Sequence, residues 1–199
     1  MFYYFSKEFV DVFNYLNLFN YITFRTGGAV LTSLFFSLIF GDFLINKLLS
    51  FQPIGQPIRL DGPKNHLIKK AGTPTMGGLL ILSSMTISLF LWADLSNKFV
   101  WICFVSSVIF GFIGFIDDFK KVRLQNHKGI KASTKILTQI FLSLFIVYFI
   151  QDSLPSNINK IISFPFFKDL IIDLGIFYFL LGIFVIVGSA NAVNLTDGL

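Results

Sequence analysis

Between Phe99 and Ile116 the chain has no charged residue, and the run stops abruptly at two adjacent carboxylates, Asp117 and Asp118. A stretch of that length and polarity approaches the ~20 apolar residues with which a helix crosses a bilayer. Four other stretches resemble it, at about Gly28–Leu49, Gly78–Leu95, Lys135–Ile150 and Asp173–Val187. Repeated runs of this kind limit the chain to one class of solution, because backbone groups in hydrocarbon must be satisfied within their own helix. The expected fold is all-α: a polytopic transmembrane helical bundle of about five spans.

Composition excludes the main alternative. With 54% hydrophobic and only 14% charged residues and a mean hydropathy of +0.74, the chain is more apolar than soluble domains usually are. The 27 phenylalanines suit lipid-facing helices and carry no functional message. The net charge of +5 does not point to nucleic acid, because the basic residues lie in loops between spans, where they act as topology determinants. The single cysteine, Cys103, lies inside an apolar span and cannot form an internal disulfide. His66 and His127 lie in separate basic loops, without the spacing of zinc ligands.

In chain order, residues 1–24 repeat apolar positions at helical spacing but are broken by Lys7, Glu8 and Asp11, which predicts an interfacial helix rather than a span. A signal peptide fits this segment badly. Asp42 and Lys47, near the end of the first span, read as a snorkelling pair. Residues 51–76 form a loop with prolines at 53, 57, 63 and 74. Residues 151–172 predict a small hairpin or a re-entrant element. With no internal repeat or linker, residues 1–199 read as a single membrane domain.

Charge then sets the expected topology. If every span crosses once, the loops 51–76 and 117–135 share a side, and together they hold ten of the 16 Lys and Arg residues. That imbalance predicts these loops in the cytoplasm, the N-terminus outside and residues 188–199 on the cytoplasmic side.

Three polar groups thereby come to one face: Lys70–Thr75, Asp117–Lys121 and Asn191–Asp197. In KKAGTPTMGG (69–78) the glycines and Pro74 forbid a regular helix. Its freed amides and lysines could meet an anion, and a flexible linker explains the glycines equally well. Asp117 and Asp118 point about 100° apart on a helix, and Lys121 can reach either. A capping or ion-pair cluster is one reading. Acids at a helix C-terminus oppose the macrodipole, so binding Mg²⁺ or taking a proton is the other. Asn191, Asn194 and Asp197 form one stripe if helical, and offer groups for a nucleoside, a sugar or Mg²⁺. Asp197-Gly198 could equally be a turn. Lys70, Lys121, Lys131 and Lys135 add positive charge that suits a polyphosphate. An ion-coupled transporter would more naturally place its acids at the membrane midplane.

The motifs KAGTPTMGG (70–78), GFIDDFKKV (114–122) and NAVNLTDGL (191–199) resemble those of the phospho-N-acetylmuramoyl-pentapeptide-transferase family, within the polyprenyl-phosphate N-acetylhexosamine-1-phosphate transferases. The resemblance follows motif order along nearly all of the chain. GTPTMGG points to the muramoyl-pentapeptide branch rather than to sister enzymes that use UDP-GlcNAc.

The resemblance implies transfer of phospho-MurNAc-pentapeptide from UDP-MurNAc-pentapeptide to undecaprenyl phosphate, giving lipid I and UMP, with Mg²⁺. It implies an active face on the cytoplasmic side of the bacterial inner membrane, a lipid-bilayer setting and a homodimer. By the same resemblance Asp117 would be the base. Asp118 would position the lipid phosphate or help hold Mg²⁺. Lys70, Thr75, Asn194, Asp197 and Gly198 would surround the nucleotide-sugar, and Lys121, Lys135 and Asn191 would lie by phosphate. Family members continue past DGL into a further metal-binding Asp and a His-rich loop, so this chain is expected to be the N-terminal half of such an enzyme and inactive alone. A transporter or a non-catalytic scaffold is the reading from another class.

Overall fold

A computed structural model describes residues 1–53, 55, 72–125, 129–164 and 166–198, with the side chains of residues 168 and 194–198 left outside the description. The chain divides into two compact units, Met1–Gly129 and Ile130–Leu199, and each is taken by itself.

The first unit begins with α1 (Phe2–Phe9) and a 3-10 helix (Asn14–Asn20). The expected single helix over residues 1–24 is thus two pieces. Asn14, Asn17 and Asn20 fall in the second piece, and asparagine is a weak α-helix former; there Asn20 donates to the side chain of Asn17 at 2.9 Å. Helix α2 (Ile22–Phe51) then runs for 30 residues, about 45 Å at 1.5 Å per residue, and ends before Pro53, as helices do ahead of proline. Asp42 and Lys47 form no pair: five residues apart on a helix they face different ways, and the Lys47 ammonium lies 5.9 Å from the Phe43 ring.

Helix α3 (Gly78–Trp92) and helix α4 (Lys98–Leu124) complete this unit. Asn97 caps α4, its side chain accepting from the Phe99 N–H at 2.9 Å. Gln125, with φ +48°, closes it in the left-handed conformation common at helix ends. Neighbouring helices run antiparallel. At one end the Trp92 indole rests on Gly28 and donates to Thr32 Oγ1 at 2.9 Å, while Phe19 stacks on it. The N-terminal amine donates to the Phe90 carbonyl at 2.7 Å, and the Tyr4 hydroxyl to Asp94 at 3.1 Å. At the other end Leu48, Met76 and Val122 form a buried cluster, flanked by Leu44, Leu79, Phe115 and Phe119.

The second unit holds α5 (Ala132–Ser153), β1 (Ile161–Phe164), β2 (Phe167–Asp173) and α6 (Phe177–Gly198). The strands pair antiparallel, with Ile161 opposite Asp173 and Ile162 opposite Ile172. Their β-branched residues suit a pleated ribbon, so the 151–172 connection is a hairpin, an addition to the expected all-α fold. Asp173 closes the second strand instead of opening a span: its carboxylate accepts the Gly175 N–H at 2.9 Å, and Gly175 has φ +51°. Helices α5 and α6 pack antiparallel, with Gly182 against Val147 and Asn191 against Gln139.

The chain is a helical membrane bundle. α2, α4 and α5 are long and apolar enough to cross a membrane; α3 and Phe177–Val193 of α6 are apolar but shorter. None of the most apolar window of α2 is buried within the protein. Its exposed Leu31, Phe35, Leu38 and Ile39 call for hydrocarbon or another apolar surface.

Candidate active site

Polar groups concentrate at the end of the first unit where α2 finishes and α3 begins. Asp117 is only 7% exposed, and a carboxylate buried that deeply needs a partner. Lys121, one turn along α4, supplies it: its Nζ lies 2.7 Å from Asp117 Oδ2 and 3.2 Å from Asp118 Oδ1. The other oxygen of Asp118, Oδ2, accepts the Thr75 hydroxyl at 2.7 Å. Thr75 arrives from the irregular segment ahead of α3, where Met76 adopts φ +74° and buries its side chain. Gly129, at φ +56°, lies so close to Asp117 and Lys121 that a Cβ there would collide with both.

The acids do not sit at a helix terminus. α4 continues to Leu124, so both lie in its interior and the expected conflict with the macrodipole does not arise. Phe119–Arg123 looks like loop because it is charged, but Lys and Arg are good helix formers and the hydrophobic contacts of Phe119 and Val122 carry the helix onward. The acids are instead constrained by shared use of one lysine.

An apolar slot of about 280 Å³ adjoins this cluster, lined by Met76, Leu79, Leu82, Gly111, Gly114 and Asp118 among others. A cavity of about 330 Å³ beside Phe51, Phe119 and Arg123 touches neither acid, so it is not the site.

In the second unit Asn191 donates through Nδ2 to Gln139 Oε1 at 2.7 Å and to the Val187 carbonyl at 2.8 Å. Gln139 and Ser143 are buried on the same face of α5, and Lys135 lies one turn before Gln139. Asn191, Asn194 and Asp197 all fall within α6, which gives them the one-stripe spacing expected. The side chains of Asn194 and Asp197 and the contacts of Gly198 are outside the description, and Lys70 lies outside the described residues. Thr75, Asp117, Asp118 and Lys121 are therefore brought together, and Asn191 is fixed to α5 within its own unit.

Two participants escaped the sequence reading. Gln52 is buried at the end of α2 and hydrogen-bonds the backbone of Thr75. Gln139 holds Asn191. For Gln139 a signal existed: an amide within an otherwise apolar span is a functional flag in itself. Gln52 gave none, standing alone beside Pro53.

Among the described residues no three His, Cys, Asp or Glu gather as a metal cage. Mg²⁺ is, however, often held by one or two carboxylates together with substrate phosphates. The hard oxygens of Asp117 and Asp118, now balanced by one ammonium, fit that shared mode and not a dedicated protein site.

Comparison with known proteins identifies relatives of the chain. The glycosyl transferase family 4 model matches residues 100–199, and phospho-N-acetylmuramoyl-pentapeptide-transferase signature 1 matches residues 70–82. The chain is 51% identical over 183 residues to the phospho-N-acetylmuramoyl-pentapeptide-transferase of Rickettsia prowazekii (strain Madrid E), covering 92% of this chain and 50% of the relative. The Rickettsia felis enzyme of the same name is also 51% identical, and that of Rickettsia canadensis 50%, with the same coverage. The chain thus spans about half the length of the curated relatives it matches.

Proposed function

This chain belongs to glycosyl transferase family 4, and we propose that, within a full-length enzyme, it transfers phospho-MurNAc-pentapeptide from UDP-MurNAc-pentapeptide to undecaprenyl phosphate. A lipid-phosphate oxygen attacks the sugar-linked phosphorus, the bond to UMP breaks, and lipid I and UMP result. The carrying observation is the Thr75–Asp118–Lys121–Asp117 cluster, which joins the signature segment 70–82 to the start of the family-model match.

Each residue has a derivable part in that reaction. Asp117 accepts the proton of the lipid phosphate as general base. Its carboxylate is held by the Lys121 ammonium at 2.7 Å. An incoming phosphate competes for that ammonium and frees the carboxylate. Asp118, oriented by Thr75 and Lys121, positions the phosphate. Lys121 offsets charge on the phosphates as the transfer proceeds. Lys70, Lys135, Asn191, Asn194, Asp197 and Gly198 bind the nucleotide-sugar and its phosphates. Asp117 and Asp118 would hold Mg²⁺ together with the substrate phosphates, and the ion would supply further neutralisation of the pyrophosphate. The apolar slot beside Asp118 supports a hydrocarbon-tailed acceptor. The site faces the cytoplasm from the bacterial inner membrane, and the enzyme works as a homodimer.

The test is UMP release by a full-length enzyme carrying these residues, supplied with undecaprenyl phosphate, Mg²⁺ and either UDP-MurNAc-pentapeptide or UDP-GlcNAc. Turnover with the first donor, abolished by Asp117→Asn while membrane insertion persists, is expected. Turnover with UDP-GlcNAc alone, or full activity of the variant, overturns the proposal.

A further inference from the structure

The residue that caps α2, its backbone N–H bonding back to the Leu48 and Leu49 carbonyls, does more than end the helix. Gln52 is 2% exposed, and a buried amide must find partners. It finds them on one residue: its Oε1 accepts the Thr75 N–H at 3.0 Å, and its Nε2 donates to the Thr75 carbonyl at 3.4 Å. The side chain thereby imitates one rung of a β-ladder across 23 residues of sequence. Leu48, one turn earlier on the same face of α2, packs in the buried cluster that holds Met76. Two successive turns of α2 thus fix two successive residues of the segment, Met76 by packing and Thr75 by hydrogen bonds. The left-handed backbone of Met76, φ +74°, is a conformation that a non-glycine residue keeps only when its surroundings enforce it.

We propose that Gln52 is a positioning residue for the transfer: it fixes the backbone of Thr75 so that the hydroxyl stays aimed at Asp118. Gln52 acts through Thr75, and the clamp explains how an irregular, glycine-rich segment presents one hydroxyl in a constant place. This role rests on the function proposed above, in which Thr75 and Asp118 serve the reaction.

Two measurements test it. The first uses the 199-residue chain in detergent and follows the Thr75 amide by NMR hydrogen exchange. The amide is expected to be protected, to exchange about tenfold faster or more in Gln52→Ala, and to stay protected in Gln52→Glu, which retains the acceptor. An unprotected Thr75 amide, or one indifferent to Gln52→Ala, overturns the clamp and leaves the proposed function standing. The second uses the full-length enzyme and a double-mutant cycle. Gln52→Ala is expected to lower kcat by about tenfold, and to add nothing in a Thr75→Val background. A loss that adds in full to that of Thr75→Val overturns the positioning role. Undiminished transfer by Thr75→Val alone removes the reading of the site, and this role for Gln52 with it, whatever the exchange data show.

Discussion

The Thr75 hydroxyl donates to Asp118 Oδ2 at 2.7 Å, a bond that ties the segment before α3 to the interior of α4 across 43 residues of sequence. It leaves Asp118 with one oxygen on a neutral donor and the other on Lys121. Replacing the hydroxyl by a methyl of similar shape separates this bond from packing. Thr75→Val in a full-length enzyme should lower UMP release by roughly 10- to 150-fold, the worth of one hydrogen bond to a charged group. Thr75→Ser should retain most of the activity.

Lys121 is the cation shared by both acids. Lys121→Met should destabilise the first unit by about 1–3 kcal/mol, because Asp117 is left buried with its ion pair removed. Adding Asp117→Asn should return part of that loss. Thermal unfolding of the chain in detergent, compared across the single and double variants, reads the coupling.

Gly129 sits in left-handed backbone directly against Asp117 and Lys121. Gly129→Ala should cost about 1–2 kcal/mol for the backbone alone, and should displace the ion pair as well. The variant is expected to lose transfer out of proportion to its loss of thermal stability, a comparison that needs only the two assays above.

At the opposite end of the first unit, Trp92 rests on Gly28 and donates to Thr32. Gly28→Val puts a branched side chain where the indole lies, and should cost about 1–3 kcal/mol through overpacking. Trp92 fluorescence, read in a Trp101→Phe background, should shift as the ring is forced from its place between α2 and Phe19.

Asp94, in the turn between α3 and α4, gives a pH dependence. Its carboxyl is held below the ordinary value chiefly by the Ser96 hydroxyl, with the Ser96 amide and the Tyr4 hydroxyl adding to it. A carboxylate depressed in the folded state stabilises above its unfolded value of about 3.9, and loses that contribution as pH falls through the lower folded value. Docking of α1 should therefore be unaffected near neutrality and loosen below about pH 4. The group is exposed, so the effect is small. Hydrogen exchange in α1 should rise on acidification, and Asp94→Asn should show part of that rise already at neutral pH.

The apolar runs and their bounding prolines and glycines made the helices legible, because a span must be helical and Pro53 must end one. The meeting of Thr75 with Asp118 was half legible: each stood out, but their contact depends on the turn at Met76, which the residue type alone argues against. The length of α4 was misread because charge after Ile116 was equated with loop, whereas Phe119 and Val122 keep the apolar period within the charged stretch. The strands were legible only as a hairpin-sized apolar connection, and Asp173 was assigned to a span because its role, receiving the Gly175 amide, is purely local. Gln52 could not be found, since a lone amide beside a proline has no pattern.

Embedding both acids in the unbroken run of α4 has a mechanical result. Consecutive residues in such a rod stay 1.5 Å apart along its axis and about 100° apart around it, so the two points from which the carboxylates spring cannot change their spacing without the helix unwinding, and only side-chain rotation is left to each acid. Their backbone acts as a fixed datum, and the larger adjustments of fit fall to what approaches it: the ligand, the Thr75 segment and the reach of the Lys121 stem.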